Sequence, residues 1–172
     1  MKYSIVIPLF NEEKNINSLI EEIILNLNNV SFKYEIILVD DHSNDKTFEQ
    51  IISLKNKFTN KIVLKKNIKN FGQSYSIREG IKIAKSQNII TIDGDGQNNP
   101  SDIISLIQIY ETKNFSLVGG IRAKRMDKFI KIISSKIANK IRSFIFRDNC
   151  PDTGCSLKIF DKKIFLSFPY FD

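Results

Sequence analysis

Strand-like runs that alternate with helix-length segments, unbroken apolarity within those runs, and acidic clusters where they close together predict an α/β fold. The expected architecture is a three-layer α/β/α sandwich around a mostly parallel sheet. Tyr3 to Leu9, Glu35 to Val39 and Asn88 to Ile92 are the clearest runs. Their apolarity is continuous rather than alternating, which marks strands covered on both faces, as in a parallel sheet. In such sheets ligands gather at the carboxyl ends of the strands, where this chain places its aspartates.

Taken in order, Tyr3 to Leu9 opens the sheet, and Ile16, Leu19, Ile20, Ile23, Ile24 and Leu27 follow at the three- and four-residue spacing of a helix with one apolar face. EIILV at 35–39 is the second strand; Phe48, Ile51, Ile52 and Leu54 mark the second helix, with Asp45 as its candidate N-cap. KIVLK at 61–65 makes a third strand and Gln73 to Lys85 a third helix. After the fourth strand, Pro100 stands at the first turn of a helix over Ser101 to Tyr110, and Phe115 to Gly119 is a fifth strand. The segment Asp127 to Arg147 puts Ile130, Ile133, Ile137, Ile141 and Phe144 on one helical stripe, opposite Lys128, Lys131 and Arg142. That pattern suits a helix packed on the sheet with a solvated basic face, and equally one lying on an anionic membrane.

With 172 residues, 42% of them hydrophobic, and only seven Gly and four Pro, the chain can bury one substantial core. No repeat or linker composition divides it, so residues 1–172 are expected to form a single domain. Residues 1–100 carry 13 Lys and Arg against 12 Asp and Glu, while residues 101–172 carry 13 against 7. The net charge of +7 is therefore local, and suggests a surface for an anionic partner. Aromatic residues are not interleaved with the basic stretches as stacking platforms would be, so nucleic acid is not the expected partner. No apolar run reaches the eighteen or so residues of a membrane span, and Met1 leads into a strand rather than a leader peptide; a cytoplasmic location is expected. Cys150 and Cys155 lack a second cysteine pair and have only His42 elsewhere, so zinc spacing is absent and reduced thiols are expected.

The sharpest chemical feature is TIDGDGQ at 91–97, where a strand runs into Asp93 and Asp95. Two carboxylates about 6 Å apart repel by roughly 2.5–3 kcal/mol at an effective dielectric near 20. A hard divalent cation removes that cost, and magnesium or manganese shares such carboxylates with a substrate diphosphate. Gly94 and Gly96 would let the backbone turn and approach closely, and Gln97 adds a neutral oxygen. An exposed pair of turn aspartates has the same spelling. VDDHS at 39–43 closes another strand, and its aspartates suit either a base or ribose or the cap of the next helix. PLFNEE at 8–13 ends the first strand with acids in the first helical turn.

Taken together, IVIPLFNEEKNI at 5–16, ILVDDHSNDKT at 37–47, NFGQSYSIREGI at 70–81, TIDGDGQNNP at 91–100, SSKIANKIRSFIF at 134–146 and DTGCSLKIF at 152–160 resemble family 2 glycosyltransferases of the nucleotide-diphospho-sugar (GT-A) fold. The likeness is to the branch of dolichyl or polyprenyl phosphate sugar synthases. It implies an inverting enzyme that moves a hexose from a GDP- or UDP-linked donor to a polyprenyl phosphate at the cytoplasmic face of a membrane. Pro8, Phe10, Glu12, Asp40, Asp93, Gly94 and Asp95 would then contact the nucleotide sugar; Asp93, Asp95 and Gln97 would hold Mg2+ or Mn2+. Arg122 would approach the phosphates, with Asp95 at the catalytic centre, and Asp152, Thr153 and Gly154 would flank the acceptor. Phe10 stands where tyrosine is usual, which keeps stacking but loses a hydroxyl; Asn99 stands where aspartate is common, which bears on the cap of the next helix. Relatives normally continue past Asp172, so further chain is expected to follow. A soluble transferase acting on a glycan hydroxyl would need a carboxylate base that the sequence does not place, and a nucleotide-binding module without chemistry would keep the same crevice.

Overall fold

The computed structural model describes residues 1–113, 115–121, 152 and 154–169. Their elements run β1 (Tyr3–Leu9), α1 (Ile16–Asn26), β2 (Tyr34–Asp40), α2 (Thr47–Lys57), β3 (Ile62–Lys66), α3 (Gln73–Ile83), β4 (Asn88–Thr91), α4 (Asp102–Lys113), β5 (Leu117–Gly119), β6 (Lys158–Asp161) and α5 (Lys162–Ser167). They build one sheet in the order β3-β2-β1-β4-β6-β5. β3, β2, β1 and β4 pair in parallel, whereas β6 runs antiparallel to both of its neighbours. The three-layer, mostly parallel reading therefore holds.

Period-two alternation divides β1 and β2 between two cores. Ile5, Ile7, Leu9, Ile36 and Leu38 pack with α1, α2 and α4 through residues such as Ile20, Ile51 and Ile103. Val6, Ile37 and Val39 face the other way, against Ile81 of α3 and, further along, Phe160 and Phe165. All seven residues of β1 and of β2 are buried, which explains the continuous apolar runs at 5–9 and 36–39 within them. Each fully buried isoleucine contributes about 1.5–3 kcal/mol. At Gly80 an added Cβ would lie 2.5 Å from Val6 Cγ1 and 3.0 Å from Val39 Cγ2, so glycine is what lets α3 seat on the sheet.

The chain passes from β1 to β2 to β3 on one side, then returns to place β4 on the other side of β1. This reversal opens a crevice beyond the carboxyl ends of β1 and β4, the usual ligand position in open α/β sheets. Two elements were not expected from the sequence. β6 is four residues long with a single apolar pair between Lys158 and Asp161, too short for a period to register, and its Asp161 caps α5 by accepting from Ile164 N at 3.0 Å. β5 is shorter than expected because only Val118 of its three residues is buried. Among the described residues no helix is long and apolar enough to cross a membrane. The amphipathic segment 127–147 and Cys150 lie outside the described residues.

Candidate active site

A cavity of about 450 Å3 lies at the switch point. β1 supplies Pro8 and Leu9 and the loop after it Phe10 and Glu12; Asp41 follows β2; Asn70, Gly72 and Gln73 lead into α3; Asp93, Gly94 and Asp95 follow β4. Three acidic strand ends thus converge on one opening, as the alternation of elements predicts. Phe10 keeps its ring 43% exposed at this opening, although it follows seven buried residues.

Hydrogen bonds between the loops after β1 and β2 fix that side of the cavity. Asn11 N donates to Ser43 Oγ at 3.0 Å, and Asn44 N donates back to Asn11 Oδ1 at 2.8 Å. Glu12 N donates to Thr47 Oγ1 at 2.7 Å, and Lys46 N donates to Glu13 Oε2 at 3.1 Å. Asp45 accepts from Thr47 N at 2.9 Å and from Glu13 N at 3.2 Å, but it is not the N-cap expected of it: Lys46 holds that position, and Asp45 instead links the turn before α2 to the chain ahead of α1. Burial pushes the Asp45 carboxyl up, but hydrogen bonds from the Thr47 hydroxyl and from the Thr47 and Glu13 amides outweigh it and leave the pKa lowered. Asn11 and His42 adopt left-handed φ values of 58° and 64°, a conformation that non-glycine residues hold only where neighbours fix it.

Of the two aspartates at the end of β2, Asp40, which the family resemblance puts at the nucleotide, does not reach the cavity, and Asp41 does. Asp40 is 0% exposed and does not line the cavity; its Oδ1 accepts from Ser43 N at 3.3 Å, and its Oδ2 has no hydrogen-bond partner among the described residues. Asp41 reaches the cavity wall. Its Oδ1 accepts from Asn67 Nδ2 at 2.7 Å and Phe71 N at 3.1 Å, and its Oδ2 from Gly72 N at 2.7 Å, which anchors the start of α3. The physical reason is parity: consecutive residues at a strand end point to opposite faces, so only one of an Asp-Asp pair can face the crevice.

On the opposite wall Asp93 and Asp95 are both half-buried on the same cavity, as the sequence implies. Gly94 fits between them because a Cβ there would meet Leu9 Cδ2 at 2.4 Å and Pro8 O at 3.3 Å. The DGD turn is thereby pressed onto the end of β1. Gly96 completes the turn with φ 73°, and Asp95 Oδ1 accepts from Gln97 N at 3.0 Å. The Gln97 side chain is not brought to this cavity; the residue is exposed and lines a neighbouring hollow with Asn98 and Asn99. Gln73 was not singled out by the sequence, yet its Nε2 donates to Asp93 Oδ1 at 2.5 Å across the crevice. Asn99 still caps locally, accepting from Ser101 N at 3.0 Å.

A second hollow of about 280 Å3 adjoins the first, with Gln73 and Asp93 in both walls, and Gly154 lies on it. Asp152 is 7% exposed and accepts from Gly154 N at 3.2 Å, so the structure ties it to the shape of that loop. Arg122 and Thr153 lie outside the described residues. Cys155 is a buried thiol whose Sγ donates to Asn98 Oδ1 at 3.7 Å.

With this geometry in place, comparison with known proteins is informative. A dodecaprenyl-phosphate galacturonate synthase of Rhizobium johnstonii is 34% identical over 165 residues, covering 95% of this chain and 49% of its own length. An undecaprenyl-phosphate 4-deoxy-4-formamido-L-arabinose transferase of Photorhabdus laumondii is 34% identical over 163 residues, covering 95% and 50%. The chain spans about half the length of these curated relatives. Among solved structures, mannosyl-3-phosphoglycerate synthase from Rubrobacter xylanophilus superposes with a TM-score of 0.79 at 14% identity, over 99% of this chain and 56% of that one. A mannosyltransferase from Pyrobaculum calidifontis, solved with GDP-Man and Mn2+, gives 0.71 at 16% identity over 96% and 46%. These two establish the GT-A fold. The family model for glycosyl transferase family 2 matches residues 4–167, and the chain belongs to that family.

Proposed function

We propose that this chain is the donor-binding part of an inverting glycosyltransferase that moves a hexose from a nucleoside diphosphate sugar to a polyprenyl phosphate at the cytoplasmic surface of a membrane. The observation that carries this reading is the convergence of Glu12, Asp41, Asp93 and Asp95 on one cavity at the switch point of the sheet. The acceptor class is supported by the names of the relatives, which act on dodecaprenyl and undecaprenyl phosphates. A nucleotide-linked donor is supported by the GDP-Man in the Pyrobaculum neighbour.

Pro8, Phe10, Glu12 and Asp41 would hold the nucleotide, with Phe10 stacking on the base and Asp40 supporting the wall from behind. Asp93 and Asp95 fit a hard divalent cation. They bring carboxylates to one wall of the cavity, a donor set that suits a hard cation shared with a substrate diphosphate. Mg2+ or Mn2+ held there would stabilise charge growing on the departing diphosphate. Gln97 would act through its backbone amide, which orients Asp95, and Gln73 by orienting Asp93. Arg122 is assigned to the phosphates by the family resemblance, and Asp152, Thr153 and Gly154 to the acceptor side. A phosphate monoester acceptor is already ionised near neutral pH, with a second pKa about 6, so no strong general base is required.

The test is transfer of labelled hexose from UDP- and GDP-linked donors to undecaprenyl phosphate, with a glycan acceptor in parallel and with Mn2+ present or chelated. A lipid-soluble product formed only with lipid phosphate and metal is expected. Transfer to the glycan hydroxyl instead, or nucleotide binding without transfer to either acceptor, would refute the assignment.

A further inference from the structure

The smaller hollow is graded from polar to apolar. β6 runs antiparallel to β4 with Lys158 opposite Thr91 and Phe160 opposite Ile89, so Lys158 stands nearer the carboxyl end of β4, where Asp93 follows. Residues two apart on a strand share a face, which puts Lys158 above Phe160 on the side covered by α3 and α5. Below Lys158 the wall is Ile77, Phe160 and Phe165, the two rings stacked with centroids 5.2 Å apart. A cationic side chain over an aromatic and aliphatic floor, adjoining the donor cavity through Gln73 and Asp93, matches a ligand with an anionic head and a branched hydrocarbon tail.

Resting on the transferase reading above, we infer that this hollow seats the head of the acceptor lipid. The monophosphate lies at Lys158 and the first isoprenoid unit lies against Ile77, Phe160 and Phe165. The shared wall then brings the acceptor phosphate beside the donor cavity, while the remainder of the lipid stays outside. Lysine suits this seat because its ammonium is a point charge that pairs with phosphate without demanding a fixed approach.

Calorimetric titration of the 172-residue chain with geranyl monophosphate tests this, with inorganic phosphate and geraniol as partial probes. Geranyl phosphate is expected to bind at least tenfold more tightly than either. Lys158→Met should weaken it about tenfold and Lys158→Arg should restore most of the loss. Phe165→Ser should weaken geranyl phosphate but leave inorganic phosphate unchanged, and melting curves will show that each variant folds. The inference is overturned if wild type takes up no geranyl phosphate, if inorganic phosphate binds equally well, or if Lys158→Met and Phe165→Ser both titrate like wild type. Parallel titration with UDP- and GDP-sugars and Mn2+ separates the two readings. Loss of nucleotide binding alone, with geranyl phosphate intact, would refute the donor site and leave the lipid seat standing.

Discussion

The two ends of the sheet both hold buried carboxylates, and they use them in opposite ways. At the amino end Glu35 is 2% exposed, and its Oε1 accepts from Ser4 Oγ at 2.6 Å and from Lys85 N at 2.7 Å. Ser4 Oγ accepts in turn from Ser86 N at 3.1 Å, so the network ties β1 and β2 to the turn between α3 and β4 and closes on itself. At the carboxyl end Asp41, Asp93 and Asp95 line a cavity, and Asp40 behind them retains an oxygen without a partner among the described residues. Protein donors surround Glu35 in the interior, whereas Asp93 and Asp95 are only half-buried, at an opening where a ligand can reach them.

This contrast can be broken at either end. Glu35→Leu should lower unfolding free energy by about 3 kcal/mol, because it strands the buried Ser4 hydroxyl and removes the acceptor of the part-buried Lys85 amide. Nucleotide-sugar affinity, measured on folded protein, should not change; a tenfold fall would mean that the two ends are coupled. Gln73→Ala should cost about tenfold, or roughly 1.4 kcal/mol, in Mn2+-supported nucleotide affinity, since Asp93 loses the amide that aims it. Unaltered affinity would reduce Gln73 to a surface contact.

A smaller effect lies between the ends, where Glu79 of α3 meets Lys65 Nζ of β3 at 2.8 Å and Lys82 Nζ at 2.6 Å. The hydrogen bond from Lys65, then that from Lys82, holds the Glu79 carboxyl below its ordinary value of 4.5. A lowered folded pKa gives stability that is fully present above the ordinary value and is lost as pH falls through the lowered one. The stability gap between wild type and Glu79→Gln should therefore be widest near neutrality and close in acid, as denaturant titrations at several pH values would show. A gap independent of pH would exclude the ion pairs as its source.

Much of this was legible in the sequence where burial is symmetrical. β1 and β2 are covered on both faces, so their apolar spelling is continuous and their ends are easy to find. The DGD turn was legible because a strand-like run ends there in two closely spaced aspartates, with glycines that admit the tight turn and the close approach. Which of Asp40 and Asp41 reaches the cavity was not legible, because the orientation of a strand's last residue depends on where pairing stops. Gln73 is twenty residues from Asp93 and meets it only because α3 starts across the crevice, a contact that no local pattern encodes. No local pattern marks Glu35 as a buried hub, since its partners Ser4 and Lys85 come from distant segments.

If Asp93 and Asp95 hold a cation that bridges to a diphosphate, nucleotide binding must depend on metal. The most direct test is titration of UDP and GDP with and without Mn2+ against wild type and Asp95→Asn. Mn2+ should tighten wild-type binding at least tenfold, and the variant, still folded, should bind the same nucleotide with no response to metal. Equal binding by both proteins in chelator and in Mn2+ would contradict it.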